Sequence, residues 1–258
     1  MIDYTISYTN PHRHFVDFQL STTTNGATKM QFQLAAWRPG RYELANFAQN
    51  IQKWGAFDEN NNPLSFKKIT KDLWEVETES AKEITLVYNF YANQLDAGAC
   101  YLDEHQLYLN PVHCMFYIVD RMEEEYQLNM QIPKNYEIAS SMKKNGNVLS
   151  VKGYDLLSES PIICSDTLQD GTYQVDGITF HLWFQGQCKL DWKKLKKDFT
   201  AFTKSQIEHF GGFPVKEYHY FFQITPYKSY HGVEHTKNTV LLLGPGEEIM
   251  SKRYEDLL

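Results

Sequence analysis

From Ile2 to about Asp166 the apolar residues fall in short alternating runs, the period of half-buried strands. Val16-Asp17-Phe18-Gln19-Leu20 alternates apolar with polar positions, as does Met30-Gln31-Phe32-Gln33-Leu34, and Asn25-Gly26 between them reads as a turn. Asn60-Asn61-Asn62-Pro63 is a second break, followed by strand-like Leu64 to Ile69 and Leu73 to Val76. Ile84 to Tyr91 is denser in apolar and aromatic residues and predicts a more buried strand. Many short strands at this spacing predict an antiparallel sandwich or barrel-like β-domain.

After Gly171 the pattern changes. Tyr173 to Phe184 reads as a hairpin around Asp176-Gly177. Asp191 then has the chemistry of an N-cap, and Trp192, Leu195, Phe199, Phe202 and Ile207 recur at helical spacing up to about Phe210. Gly211-Gly212 and Pro214 predict the stop. Strands read at Tyr218 to Ile224 and Thr239 to Leu243, and Gly244-Pro245-Gly246 leads into a last helical segment. The whole is mostly β: residues 1–168 as an N-terminal antiparallel β-domain, residues 169–258 as the opening of an α+β domain. The final helix has little left to pack against, so Met250, Leu257 and Leu258 are expected to be exposed.

Composition narrows the function classes. With 42% hydrophobic and 15% aromatic residues, the chain has ample material for packed cores and does not read as disordered. A formal charge of -7 argues against electrostatic nucleic-acid binding. Cys100, Cys114, Cys164 and Cys188 form no Cys-x-x-Cys pair, which reads as reduced, structural thiols. No apolar stretch approaches 18 residues, and the start lacks a signal-like pattern. The reading is a cytoplasmic protein with no membrane partner, although a chain trimmed of a secretory signal would look the same.

Chemistry concentrates in Tyr230-His231-Gly232-Val233-Glu234-His235. His231-Gly232-Val233-Glu234-His235 also fits His-x-x-Glu-His, a zinc motif that works only on a helix, where both histidines share one face. Gly232, the preceding Pro226 and the β-like run after it predict an extended or loop backbone instead. No metal ligands are therefore assigned, and the chain is expected to hold no stoichiometric zinc. The remaining histidines form no ligand-spaced pair on a predicted helix.

The same segment resembles the aromatic-Gly-Gly-Leu-Glu-His stretch of the glycyl aminopeptidase family of zinc metallopeptidases. Further matches occur in order: Trp37-Arg38-Pro39-Gly40-Arg41-Tyr42, Tyr101-Leu102-Asp103, Tyr154 to Ile162, and Phe210-Gly211-Gly212-Phe213-Pro214. The resemblance implies a β-domain followed by the start of a thermolysin-like catalytic domain, cut before the family's His-Glu-x-x-His helix, a motif absent from this sequence. It implies a parent aminopeptidase that uses zinc to release small N-terminal residues from peptides, whereas this chain alone is expected to be inactive. By similarity to zinc aminopeptidases with a Gly-x-Met-Glu-Asn segment, Glu234 would anchor the substrate's amino group, with Tyr230, Gly232 and His235 contacting the peptide. His231, Val233 and Asn238 depart from the family's usual glycine, leucine and small hydroxyl residue, which bears on substrate preference. Exposed catalytic-domain surface would also favour a dimer. The alternative takes the chain as complete, a non-catalytic β-sandwich module binding a peptide or glycan.

Overall fold

The computed structural model describes residues 1–258. In chain order the elements are β1 (Ile2–Ser7), β2 (Phe15–Thr23), β3 (Lys29–Gln33), β4 (Ile51–Asp58), β5 (Phe66–Lys68), β6 (Leu73–Glu77) and β7 (Glu83–Tyr91). Then come β8 (Tyr101–Leu102), β9 (Gln106–Leu109), α1 (Pro111–Cys114), β10 (Tyr117–Ile118), β11 (Glu125–Met130), β12 (Glu137–Ser140), β13 (Lys143–Asn145) and β14 (Val148–Lys152). The rest of the chain holds α2 (Tyr154–Ser158), β15 (Ile162–Ser165), β16 (Gln169–Val175), β17 (Ile178–Gln185), α3 (Trp192–Phe210), β18 (Glu217–Ile224), β19 (Ser229–Glu234) and β20 (Asn238–Gly244). The protein is mostly β, as the alternation requires.

Two compact units result. The first comprises Met1–Leu95, Ala99–Lys134 and Met142–Ile162; the second comprises Asp96–Gly98, Asn135–Ser141 and Ile163–Leu258. In the first, a seven-stranded sheet in the order β13-β14-β11-β1-β2-β7-β4 accompanies a four-stranded sheet, β10-β3-β6-β5. Val16, Phe18 and Leu20 of β2 are buried, so the alternating residues do line the core. Trp54 of β4 stacks on Trp74 of β6 at 5.8 Å, and Trp74 meets Phe116 edge-on, joining the inner faces of a sandwich. Asn25 and Gly26 take left-handed φ of 53° and 80°, as their turn chemistry suggests. Yet β2 and β3 do not form a hairpin: the turn carries the chain from one sheet to the other.

The second unit is an α+β layer. Its sheet runs β16-β17-β18-β20-β19, with β17/β18 and β18/β20 parallel and the outer pairs antiparallel. Asp176 and Gly177, both left-handed, make the β16/β17 hairpin. Helix α3 begins where Asp191 accepts the Lys194 N–H at 3.0 Å and ends at left-handed Gly211. Leu195, Phe199, Thr203 and Ile207, one stripe at four-residue spacing, are buried against the sheet face bearing Phe180, Leu182, Phe184 and Phe222. Each of the large apolar side chains in that stripe contributes about 1.5–3 kcal/mol of burial.

Past Gly244 the structure departs from expectation. The helical segment is two single 3-10 turns, Gly246–Glu248 and Tyr254–Leu257. Side-chain anchors hold it: Tyr254 donates to Asp198 at 2.8 Å, Lys194 sits over the Tyr254 ring, and Arg253 donates to the Ser229 carbonyl. These pull Leu257 into the core and leave Met250 half-buried, so of the three residues expected outside only Leu258 is exposed.

Candidate active-site edge

β19 is the outer strand of the second unit's sheet, hydrogen-bonded to β20 on one side only within it. Its pairing register sets Tyr230 opposite Leu243, Gly232 opposite Leu241 and Glu234 opposite Thr239. Tyr230, Gly232 and Glu234 therefore share one face, which is also the face that α3 covers further along the sheet. All three are exposed. His235 lies just past the strand, where its N–H closes a turn on the Asn238 carbonyl at 2.8 Å. The sequence-predicted residues thus come together along a single edge.

Beside them opens a hollow of about 620 Å³ lined by Phe202, Phe213, Tyr218, Tyr220, Tyr230 and His235, among others. The Tyr218 hydroxyl and the Thr239 hydroxyl are 2.6 Å apart. Burial raises the Tyr218 phenol above its ordinary pKa; that hydrogen bond opposes the rise and the Glu234 charge adds to it. Gly232 and Glu234 do not themselves line the hollow. At Gly232 a methyl group would make only ordinary contacts, the nearest being Leu241 Cδ2 at 3.7 Å, so the glycine leaves space without being sterically obligatory.

His231 points from the opposite face, with Nδ1 3.1 Å from Asp96 Oδ2. Two histidines four residues apart on extended backbone are separated by roughly 13 Å along the strand. The backbone here is a strand and not the helix that the His-x-x-Glu-His motif requires.

Sequence reasoning missed a second cluster. His181 of β17 and His219 of β18 are register partners on adjacent parallel strands, and Glu217 precedes His219 by two residues on the same face. The Trp183 indole N–H donates to His219 Nδ1 at 3.1 Å. Burial pushes the His219 imidazole down to about 3, with His181 and Lys237 adding to the effect. The His-x-Trp and Glu-x-His alternations are visible in the sequence, but the strand register that joins them is not. Elsewhere, burial raises the half-buried Cys188 thiol to about 11, the behaviour of an unreactive cysteine. No helix is long and apolar enough to cross a membrane.

With this geometry in place, comparison with known proteins decides the family. The model of the Peptidase M61 N-terminal domain matches residues 3–166, well over half of the chain. The chain belongs to the Peptidase M61 N-terminal domain family. An aminopeptidase N family protein from Idiomarina loihiensis has a similar structure, with a TM-score of 0.87 at 24% identity over 94% of this chain. An M1 zinc metallopeptidase from Deinococcus radiodurans follows at 0.55 and 10% identity over 99% of this chain. A variant of the latter enzyme, bound to a Tyr-Ser-Ala substrate, gives 0.53 at 12% identity over 100% of this chain. At these identities the likeness is one of fold. The chain spans 42% of the Idiomarina protein, 62% of the Deinococcus enzyme and 61% of the variant. No protein of curated function matches.

Proposed function

We propose that this chain is the N-terminal portion of a zinc-dependent aminopeptidase that releases small, glycine- or alanine-like N-terminal residues from peptides. Residues 1–168 are its N-terminal antiparallel β-domain, and residues 169–258 begin its catalytic domain. The observation that carries the reading is the placement of Glu234, exposed on an outer strand and sharing a face with Tyr230 and Gly232. An outer strand offers its unpaired backbone groups to an extended peptide. A carboxylate fixed at the end of that strand forms a charge-assisted hydrogen bond with the peptide's terminal ammonium. Tyr230 and His235 then flank the chain that follows.

Zinc, when bound in the intact enzyme, supplies an activated water and a polarised scissile carbonyl. His231 and His235 do not fit as its ligands; the family resemblance implies ligands and a general base on a His-Glu-x-x-His helix, a motif these residues do not contain. The part of this chain in the reaction is to bind and orient the substrate. The test is hydrolysis of glycyl and alanyl arylamides by the full-length protein, lost on chelation and recovered with zinc, with none by the 258-residue chain. Full-length protein that cleaves only N-blocked substrates, or is indifferent to chelators, contradicts the proposal.

A further inference from the structure

The second unit gathers three metal-type donors on the sheet face away from α3. The rings of His181 and His219 stack with centroids 4.4 Å apart and planes 7° from parallel. Glu217 Oε1 lies 2.8 Å from His181 Nε2 and 3.7 Å from His219 Nε2. Donor atoms of all three residues fall within 4.8 Å of one another. The 2.8 Å approach lacks hydrogen-bond alignment, and His181 Nε2 is otherwise unpartnered although its surface is covered. The covered nitrogen and the carboxylate beside it are placed to share one ion. We propose that His181, Glu217 and His219 form an open site for one zinc-class divalent cation.

Two imidazoles and a carboxylate are a donor set that zinc takes with a water in the fourth position. Side-chain exposure of 60% at Glu217 leaves a path for the ion and freedom for the carboxylate to draw in to bonding distance. The 7° angle between the planes sets the in-plane Nε2 lone pairs nearly parallel, so the rings must turn for both to reach one ion. The cluster adjoins a cleft of about 210 Å³ lined by Ser141, Lys216, Glu217, His219 and Lys237.

Two features work against a cation and thereby give the site a signature. In the metal-free protein the Trp183 N–H occupies the Nδ1 lone pair of His219, which leaves the imidazole proton on Nε2. Metal binding moves that proton to Nδ1 and breaks the indole hydrogen bond. Lys216 and Lys237 at the cleft also repel the ion. Trp183→Phe removes the first obstacle, so it should tighten binding by roughly 2- to 12-fold, the value of one hydrogen bond.

The experiment is equilibrium dialysis and calorimetric titration of the metal-free 258-residue chain with Zn²⁺, with inorganic phosphate as a second probe of the same cleft. One zinc per chain is expected, where the sequence alone predicts none. His181→Ala and the exposed Glu217→Gln should each weaken it by at least the roughly 10- to 100-fold typical of disturbing a metal shell. Trp183→Phe should tighten it, and His231→Ala should leave it unchanged. Thermal melting checks that each variant is folded. Absence of stoichiometric zinc, zinc retained in folded Glu217→Gln at parental affinity, weaker binding in Trp183→Phe, or binding of phosphate in place of zinc overturns the proposal. None of these outcomes depends on the peptidase reading.

Discussion

The Tyr4 hydroxyl is held from both sides by the backbone of Phe116, donating to its carbonyl at 3.1 Å and accepting its N–H at 2.8 Å. Both residues are fully buried, and 112 positions separate them in the chain. One phenol thus satisfies two backbone groups that lie outside any ladder at the heart of the sandwich. Tyr4→Phe keeps the ring and strands both groups, at about 1–3 kcal/mol for each one left unpaired. Denaturant unfolding should show a lower midpoint with an unchanged slope. An unshifted midpoint would mean that water or a neighbour replaces the hydroxyl.

Acid should destabilise the metal-free chain in two windows. The His219 pKa is lowered in the folded state, to about 3 from 6.5, so between those values the unfolded chain takes up a proton that the folded chain refuses. Stability is therefore lost as pH falls from 6.5 toward 3. Glu124 is held down to about 2 by Arg121, with the N-terminal ammonium helping against the opposing effect of burial. Its contribution is complete above the usual carboxylate value of 4.5 and fades as pH falls toward 2. Melting temperatures from pH 8 to 2 should show His219→Gln flattening the upper window and Glu124→Gln the lower. Parallel curves for all three proteins would contradict this assignment.

Local chemistry made much of the second unit legible. Asp191, Gly211 and the apolar stripe between them define α3, because caps and amphipathic spacing are encoded within a few residues of where they act. Asp176-Gly177 likewise encodes its hairpin. Asn25-Gly26 encoded a turn, but not which sheet the chain enters afterwards, since strand partners are chosen by distant residues. For the same reason the parallel β17/β18 register, and with it the meeting of His181, Glu217 and His219, was invisible. The segment past Gly244 was misread because Tyr254 and Arg253 are fixed by contacts with Asp198 and Ser229 rather than by helical propensity. The non-helical backbone of the β19 segment was legible from Gly232 and the β-like run after it, whereas the choice of Tyr230, Gly232 and Glu234 came from the family resemblance.

The N-cap offers a direct check on that local encoding. Asp191→Ala leaves the Lys194 N–H without its side-chain acceptor at the exposed start of α3. The expected loss is about 0.5–2 kcal/mol of stability, and Asp191→Asn should recover most of it. Equal losses in both variants would assign Asp191 a role through its charge instead of its capping geometry.

The central claim is that Glu234 receives the substrate's amino group, and one comparison tests it most directly. In the full-length protein, kcat/KM is measured for Glu234→Gln and its parent on matched peptides with free and acetylated N-termini. The substitution removes the charge and keeps the shape. Loss of a charge-assisted hydrogen bond predicts a fall of roughly 10- to 150-fold on free N-termini. Acetylated peptides should be cleaved poorly by both forms and lose little more. Equal losses on free and acetylated peptides would contradict the account and make Glu234 part of the architecture of β19.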